Sequence, residues 1–186
     1  ASFWYYDIGA FVFSGDETAV SVSGREYKTS DRIIRENDII TVDLSPQCRY
    51  IWGDYARTIV IENGRVVEDI NEICNDEWRN GLMFENQLHN ALYKIVNKDT
   101  TFEDLYFNIN NLIEKSGYIN LDFNANLGHT INRHKFRRKY IEKGNKKKIS
   151  CADYFTFEPH ISIPNSKFGF KKENIYIFRN NELVLL

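Results

Sequence analysis

The sequence predicts an α+β fold whose helices cover one face of a sheet, on three observations. Both ends of the chain carry runs of β-branched and aromatic residues, and two segments near the middle carry apolar residues at helical spacing. No internal repeat and no Pro-, Gly- or Ser-rich linker divides the 186 residues. Strands, then helices, then strands argue for α+β rather than a regular βα alternation. A chain of this length is read as a single domain over residues 1–186, able to bury roughly 70% of the surface its unfolded form exposes.

The elements follow in order. Residues 1–30 read as strands broken by polar turns: SFWYYDIGAFVF, the turn SGDET, then AVSVSGREY. IITVDL (39–44) is β-branched and alternating, and YARTIVI (55–61) is a second such run after a loop containing Ser45, Pro46 and Gly53. Asn63-Gly64 is a two-residue hairpin signal, because both residues tolerate positive φ. DINEICNDEWRNGLMFENQLHNALYKIV then places Leu82, Leu88, Leu92 and Ile95 near one helical face. A second helix is expected over 101–115: Thr101 and Asp104 resemble a capping box, Leu105, Ile109, Leu112 and Ile113 form the stripe, and Gly117 stops it. YFTFEP, NIYIF and ELVLL return to strands, the last two joined at Arg179-Asn180-Asn181.

Composition narrows the function classes. Hydrophobic residues at 42% and aromatics at 15% exclude a disordered or collagen-like chain. No apolar run reaches the ~20 residues that cross a bilayer, so no membrane is expected among the partners. Cys48, Cys74 and Cys151 are an odd number with no CxxC pair, which fits a reducing cytoplasm better than a disulfide framework. The net charge of −2 conceals a block at 133–148 with nine basic residues and one acid. Only Phe136 and Tyr140 interleave aromatics with those charges, so the block is read as a solvated ribbon rather than a nucleic-acid groove.

The residues that carry chemistry are mostly acids. Period-two alternation puts Asp43 on the face of Thr41 and Ile39, and Asp54 on that of Ala56 and Thr58. Two consecutive strands can therefore set both carboxylates side by side, an arrangement that needs a proton or a cation between them. On spacing alone, each Asp serves equally well as a turn cap. Glu158 shares a face with Tyr154 and Thr156, Glu173 shares one with Ile175 and Ile177, and His129 sits in a glycine turn. Four carboxylates and an imidazole suit two divalent ions of the Mn, Fe, Co or Zn kind.

IITVDLSPQCRYIWGDYARTIVIENG, NLGHT, FTFEPHI and GFKKENIYIFRNNELVLL stand in the order seen in the M24 metallopeptidases. The chain resembles this family over roughly residues 35–186, most of all its short bacterial Xaa-Pro aminopeptidase-like members. The resemblance implies a pita-bread fold: a curved antiparallel sheet with helices on its outer face, here apparently without the N-terminal helices of the family. It also implies a hydrolase acting on peptide substrates, a metallo-aminopeptidase with two divalent ions that activate water against a scissile carbonyl. Asp43 would bind one ion terminally, Asp54 and Glu173 would bridge, and His129 and Glu158 would complete the other site. Glu158 is the expected general base.

The histidines depart from the family pattern. None precedes the first Asp, where Tyr5 or Tyr6 stands instead, and the next histidine after His129 comes five residues on, at His134, rather than seven. His134 and His160, the latter directly after Glu158-Pro159, are the candidates for the missing proton-transfer role, while His89 reads as an ordinary helix residue. An uncovered apolar sheet face invites self-association, which leaves a homo-oligomer open. The alternative to an enzyme is a catalytically weak pita-bread module that binds peptide or protein.

Overall fold

The computed structural model describes residues 2–186. The strands are β1 (Ser2–Phe3), β2 (Ala10–Ser14), β3 (Asp38–Leu44), β4 (Pro46–Cys48), β5 (Ile51–Trp52), β6 (Tyr55–Glu62) and β7 (Arg65–Val66). Helices α1 (Asp76–Ile95) and α2 (Phe102–Lys115) follow. The chain returns to strands as β8 (Ile119–Asn120), β9 (Thr130–Ile131), β10 (Tyr154–Phe157), β11 (His160–Ser162), β12 (Gly169–Lys171), β13 (Asn174–Arg179) and β14 (Glu182–Leu185). The order is the α+β order expected.

Two four-stranded antiparallel sheets dominate, in the orders β2-β3-β6-β7 and β14-β13-β10-β9, with smaller sheets β12-β11-β8 and β1-β4-β5 beside them. The register of β3 against β6 sets Thr41 opposite Thr58 and Asp43 opposite Ala56. The two threonine hydroxyls meet at 2.8 Å, as shared-face alternation requires. The Asn63-Gly64 hairpin forms with φ of 53° and 73°, and the β13–β14 turn uses Asn180 and Asn181, also at positive φ. The loop after β3 folds back as the short β4–β5 hairpin.

The stretch AVSVSGREY is not a strand. Residues 15–19 form a 3-10 turn and residues 20–37 run irregularly. Alternation supplies β propensity but not a partner. Here the Tyr27 hydroxyl takes the partner's place, accepting from Val12 N at 2.9 Å and approaching Val12 O at 3.3 Å, so the outer edge of β2 is closed by a side chain.

Both helices bury the stripe their period defines. Leu88 and Leu92 of α1, and Leu105, Ile109 and Ile113 of α2, are fully buried against Ile39, Val60, Phe155, Phe157, Phe170 and Tyr176 of the sheets. Leu82, Ile95 and Leu112 pack at the margin of this core. Gly81 lets α1 lie directly on β12: a Cβ there would come within 2.4 Å of the Phe170 ring. His89 is a satisfied core residue, with Nδ1 2.7 Å from the Tyr176 hydroxyl and Nε2 2.9 Å from Lys172 O.

Candidate metal centre

Five segments converge on one pole of the sheets. Asp43 stands near the end of β3 and Asp54 just before β6, carried there by the β3–β6 pairing. Glu173 lies between β12 and β13, its backbone N–H donating to Ala56 O at 2.9 Å, which stitches it to the strand that carries Asp54. One oxygen each from Asp43, Asp54 and Glu173 lie within 4.8 Å of one another. His129 and Glu158 adjoin this group: His129 Nε2 is 3.5 Å from Asp54 Oδ2 and 3.7 Å from Glu158 Oε1. The five residues assigned as ligands by resemblance therefore meet in one place.

His129 is aimed from behind. Gly128 has φ of 134°, and a Cβ on it would stand 2.3 Å from Thr156 O, so only glycine lets this turn reach β10. The Thr156 hydroxyl then accepts from His129 N–H at 3.1 Å. His129 Nδ1 lies 3.3 Å from Thr130 O, a pairing that puts the ring proton on Nδ1 and leaves the Nε2 lone pair facing Asp54 and Glu158. Trp4, Trp52 and Tyr140 surround the imidazole with ring centroids 5.8, 5.9 and 6.0 Å away.

The electrostatics are those of a cluster short of cations. Glu173 is fully buried, and neither of its carboxylate oxygens has a hydrogen-bond partner among the described residues. Burial, with Asp54 and Glu158 adding to it, pushes its carboxyl well above the ordinary range. Asp54 is raised to about 7, chiefly by burial, with His129 opposing and Asp43 and Glu158 reinforcing. For Glu158 burial is the largest influence and acts upward, but Lys171 and His129 outweigh it, so the carboxyl is lowered overall. Asp122, at the edge of the cluster, is raised to about 6 by burial and by Glu158.

Lys171 was not among the expected residues. Its Nζ is 2.6 Å from Asp43 Oδ2 and 3.1 Å from Glu158 Oε2, a half-buried cation between two of the acids. The signal lay in GFKKEN: period-two alternation at the end of β12 puts Lys171 on the side of Glu173. Four carboxylates against one ammonium leave room and charge for divalent ions, and the orphaned Glu173 oxygens supply unused donor atoms. The residues present fit the metal centre that the donor types imply.

The histidine candidates separate. His160 lines the same cavity of about 360 Å³ as Asp43, Asp54, His129 and Glu158. Its Nε2 donates to Thr18 O at 2.7 Å, and burial lowers its pKa to about 4, so it stands neutral with that nitrogen committed. His134 is exposed in the basic ribbon and is not on the cavity wall. Tyr5 lines the cavity, while Tyr6 is exposed.

The fold is shared with solved structures. The prolidase from Pyrococcus horikoshii OT3 superposes with a TM-score of 0.76 at 20% identity, covering 96% of this chain and 47% of that one. The X-Pro aminopeptidase from Thermotoga maritima MSB8 gives 0.75 at 19% identity, covering 95% and 46%. The methionine aminopeptidase from Thermotoga maritima gives 0.66 at 13% identity, covering 95% and 72%. The pita-bread expectation is thus met, and the chain spans less than half the length of the prolidase and X-Pro aminopeptidase it matches. No curated protein matches the sequence. The model of metallopeptidase family M24 matches residues 2–180, nearly the whole length, and by that match this chain belongs to family M24.

Proposed function

We propose that the chain is a metal-dependent aminopeptidase that removes single residues from peptide N-termini, preferentially at Xaa-Pro bonds, using two divalent ions. The observation that carries this reading is Glu173, whose two buried oxygens have no hydrogen-bond partner among the described residues and belong to a three-carboxylate cluster. Asp43 would hold one ion, Asp54 and Glu173 both, and His129 and Glu158 the second. Divalent ions bound there supply Lewis acidity toward a scissile carbonyl and acidify water. The rest is done by side chains. Glu158, kept ionised by Lys171 and His129, accepts a proton and delivers it to the leaving amine. Lys171 holds Asp43 and Glu158 in place through its ammonium. Prolidase and X-Pro aminopeptidase neighbours support the Xaa-Pro preference.

Purified protein should carry divalent metal and cleave Ala-Pro-Xaa peptides with added Mn²⁺ or Co²⁺. Asp54→Asn and Glu173→Gln should lose both metal and turnover, and retained turnover in either would end this reading. Glu158→Gln should weaken the second ion and, with metal in excess, still lose roughly 10²- to 10⁴-fold in kcat, the usual contribution of a general base. Equal cleavage of Met-Ala and Ala-Pro substrates would remove the Xaa-Pro preference alone. One observation favours a second reading, a binding module with little turnover: neither His134 nor the Nε2 of His160 is free to donate a proton in the cavity. Bound metal and peptide without hydrolysis would select it.

A further inference from the structure

A second cavity, of about 340 Å³, opens between β6, β7 and α1, and Lys171 is the one described residue common to its wall and that of the metal centre. Its size and mixed lining are those of small-molecule sites. Val60, Val66 and Leu82 make an apolar wall, and Glu85, Lys172 and Arg57 bring charge to it. Glu85 is the unexplained group. It falls on the buried stripe of α1 between Phe84 and Leu88, it is 2% exposed, and neither carboxylate oxygen has a partner among the described residues. Burial pushes its carboxyl well above the ordinary range, with Lys172 and Lys171 opposing. A carboxyl without a hydrogen bond in such a place costs stability, and Leu or Met would pack there better.

Among the described residues neither cation makes a close ion pair with a carboxylate, although Glu85 acts on Lys172 from a longer distance. Lys172 Nζ rests on Asn86 Oδ1 at 2.5 Å, on the residue next to Glu85. Arg57 lies over the Tyr55 ring at 3.9 Å and donates to Glu173 O and Asn174 Oδ1. A purely cationic ligand would meet Lys172 and Arg57, and a purely anionic one would leave Glu85 unpaired. A zwitterion whose opposite charges are separated by one carbon answers both, because the acid and the nearer base are themselves neighbours.

We propose that this cavity binds a free α-amino acid with an apolar side chain, its ammonium on Glu85, its carboxylate on Lys172 and its side chain against Val60, Val66 and Leu82. A residue released by the aminopeptidase reaction proposed above belongs to this ligand class, but the site does not depend on that reaction.

The test is calorimetric titration of the full chain with L-leucine, alongside N-acetyl-L-leucine, which lacks the ammonium, and L-leucinamide, which lacks the carboxylate. Saturable one-to-one binding of leucine is expected, with either blocked form weaker by about tenfold or more, the scale of losing one partner of a desolvated charge pair. Glu85→Gln and Lys172→Met should each weaken leucine by a similar factor, and Asp54→Asn should leave it within about twofold. Glu85→Gln replaces a buried carboxyl by a neutral group of the same shape and should melt no lower than the parent, and Lys172→Met provides an independent reading. Absence of saturable leucine binding, or binding indifferent to both cavity variants, would overturn the proposal. So would binding lost in Asp54→Asn but kept in Glu85→Gln, since that would put leucine at the metal centre. Peptide hydrolysis is measured separately, and its presence or absence in the parent decides the proposed function without deciding leucine binding.

Discussion

His89 shows how burial turns an ordinary titratable residue into a pH-dependent part of the core. The Tyr176 hydroxyl and the Lys172 carbonyl take its two nitrogens, and burial lowers its pKa to about 3 against 6.5 for a free histidine. The unfolded chain therefore binds a proton that the folded chain refuses throughout that interval. Stability from His89 is fully present above pH 6.5 and is lost as pH falls toward 3. Across that window, unfolding free energy should fall more steeply in the parent than in His89→Gln, by up to about 1.4 kcal/mol per pH unit. Urea denaturation at pH 7, 6, 5 and 4 measures it, and parallel slopes would mean that the imidazole is not held neutral. In the sequence His89 reads only as a helix residue, because nothing local specifies the tyrosine 87 positions away whose hydroxyl donates to its Nδ1.

The helices were the most legible elements and the first thirty residues the least. Thr101 and Asp104 cap α2 reciprocally: the Thr101 hydroxyl accepts from Asp104 N–H at 3.0 Å, and Asp104 Oδ2 accepts from Thr101 N–H at 3.0 Å. Every partner in that motif lies within three residues, so sequence alone contains it. Thr101→Ala should cost about 1 kcal/mol in chemical denaturation, with metal affinity unchanged because α2 carries none of the five ligands. An unchanged midpoint would show that packing of Leu105, Ile109 and Ile113 alone sets the start of α2. The stretch 19–27 had the alternation of a strand and did not become one. A strand needs a neighbour's backbone, and the Tyr27 hydroxyl had already closed the β2 edge at Val12.

At the scale of the whole molecule, the site depends on one joint between sheets. Arg57 bridges to Lys172 through the backbone, and its guanidinium donates to Ala56 O at 2.7 Å and to Glu173 O at 2.5 Å. The carbonyl of a proposed shared ligand is thereby tied to the strand that follows the other, Asp54. Arg57→Ala should destabilise by about 1.5–3 kcal/mol, the range for hydrogen bonds from a charged donor. It should also weaken divalent-ion binding, because Glu173 and Asp54 would no longer be held at fixed separation. Denaturant midpoint and metal titration report the two effects, and metal affinity equal to the parent would show that the β-bridge alone aligns the ligands.

Sequence by itself determined most of the element types, both helix stripes, the Asn63-Gly64 hairpin and the identity of the acids that meet at the candidate metal centre. These follow from periodicity, from turn chemistry acting over a few residues, and from motifs quoted in family order. Tertiary structure alone decided which cations accompany those acids and which histidines face them. Lys171 becomes part of the centre, His160 is turned to Thr18 and His134 is left on the surface by contacts spanning from a dozen to well over a hundred residues. The unpaired Glu85 likewise had no signature in its heptad. A carboxyl reads as polar wherever it falls in a helix, and only packing shows when it has been buried without a partner.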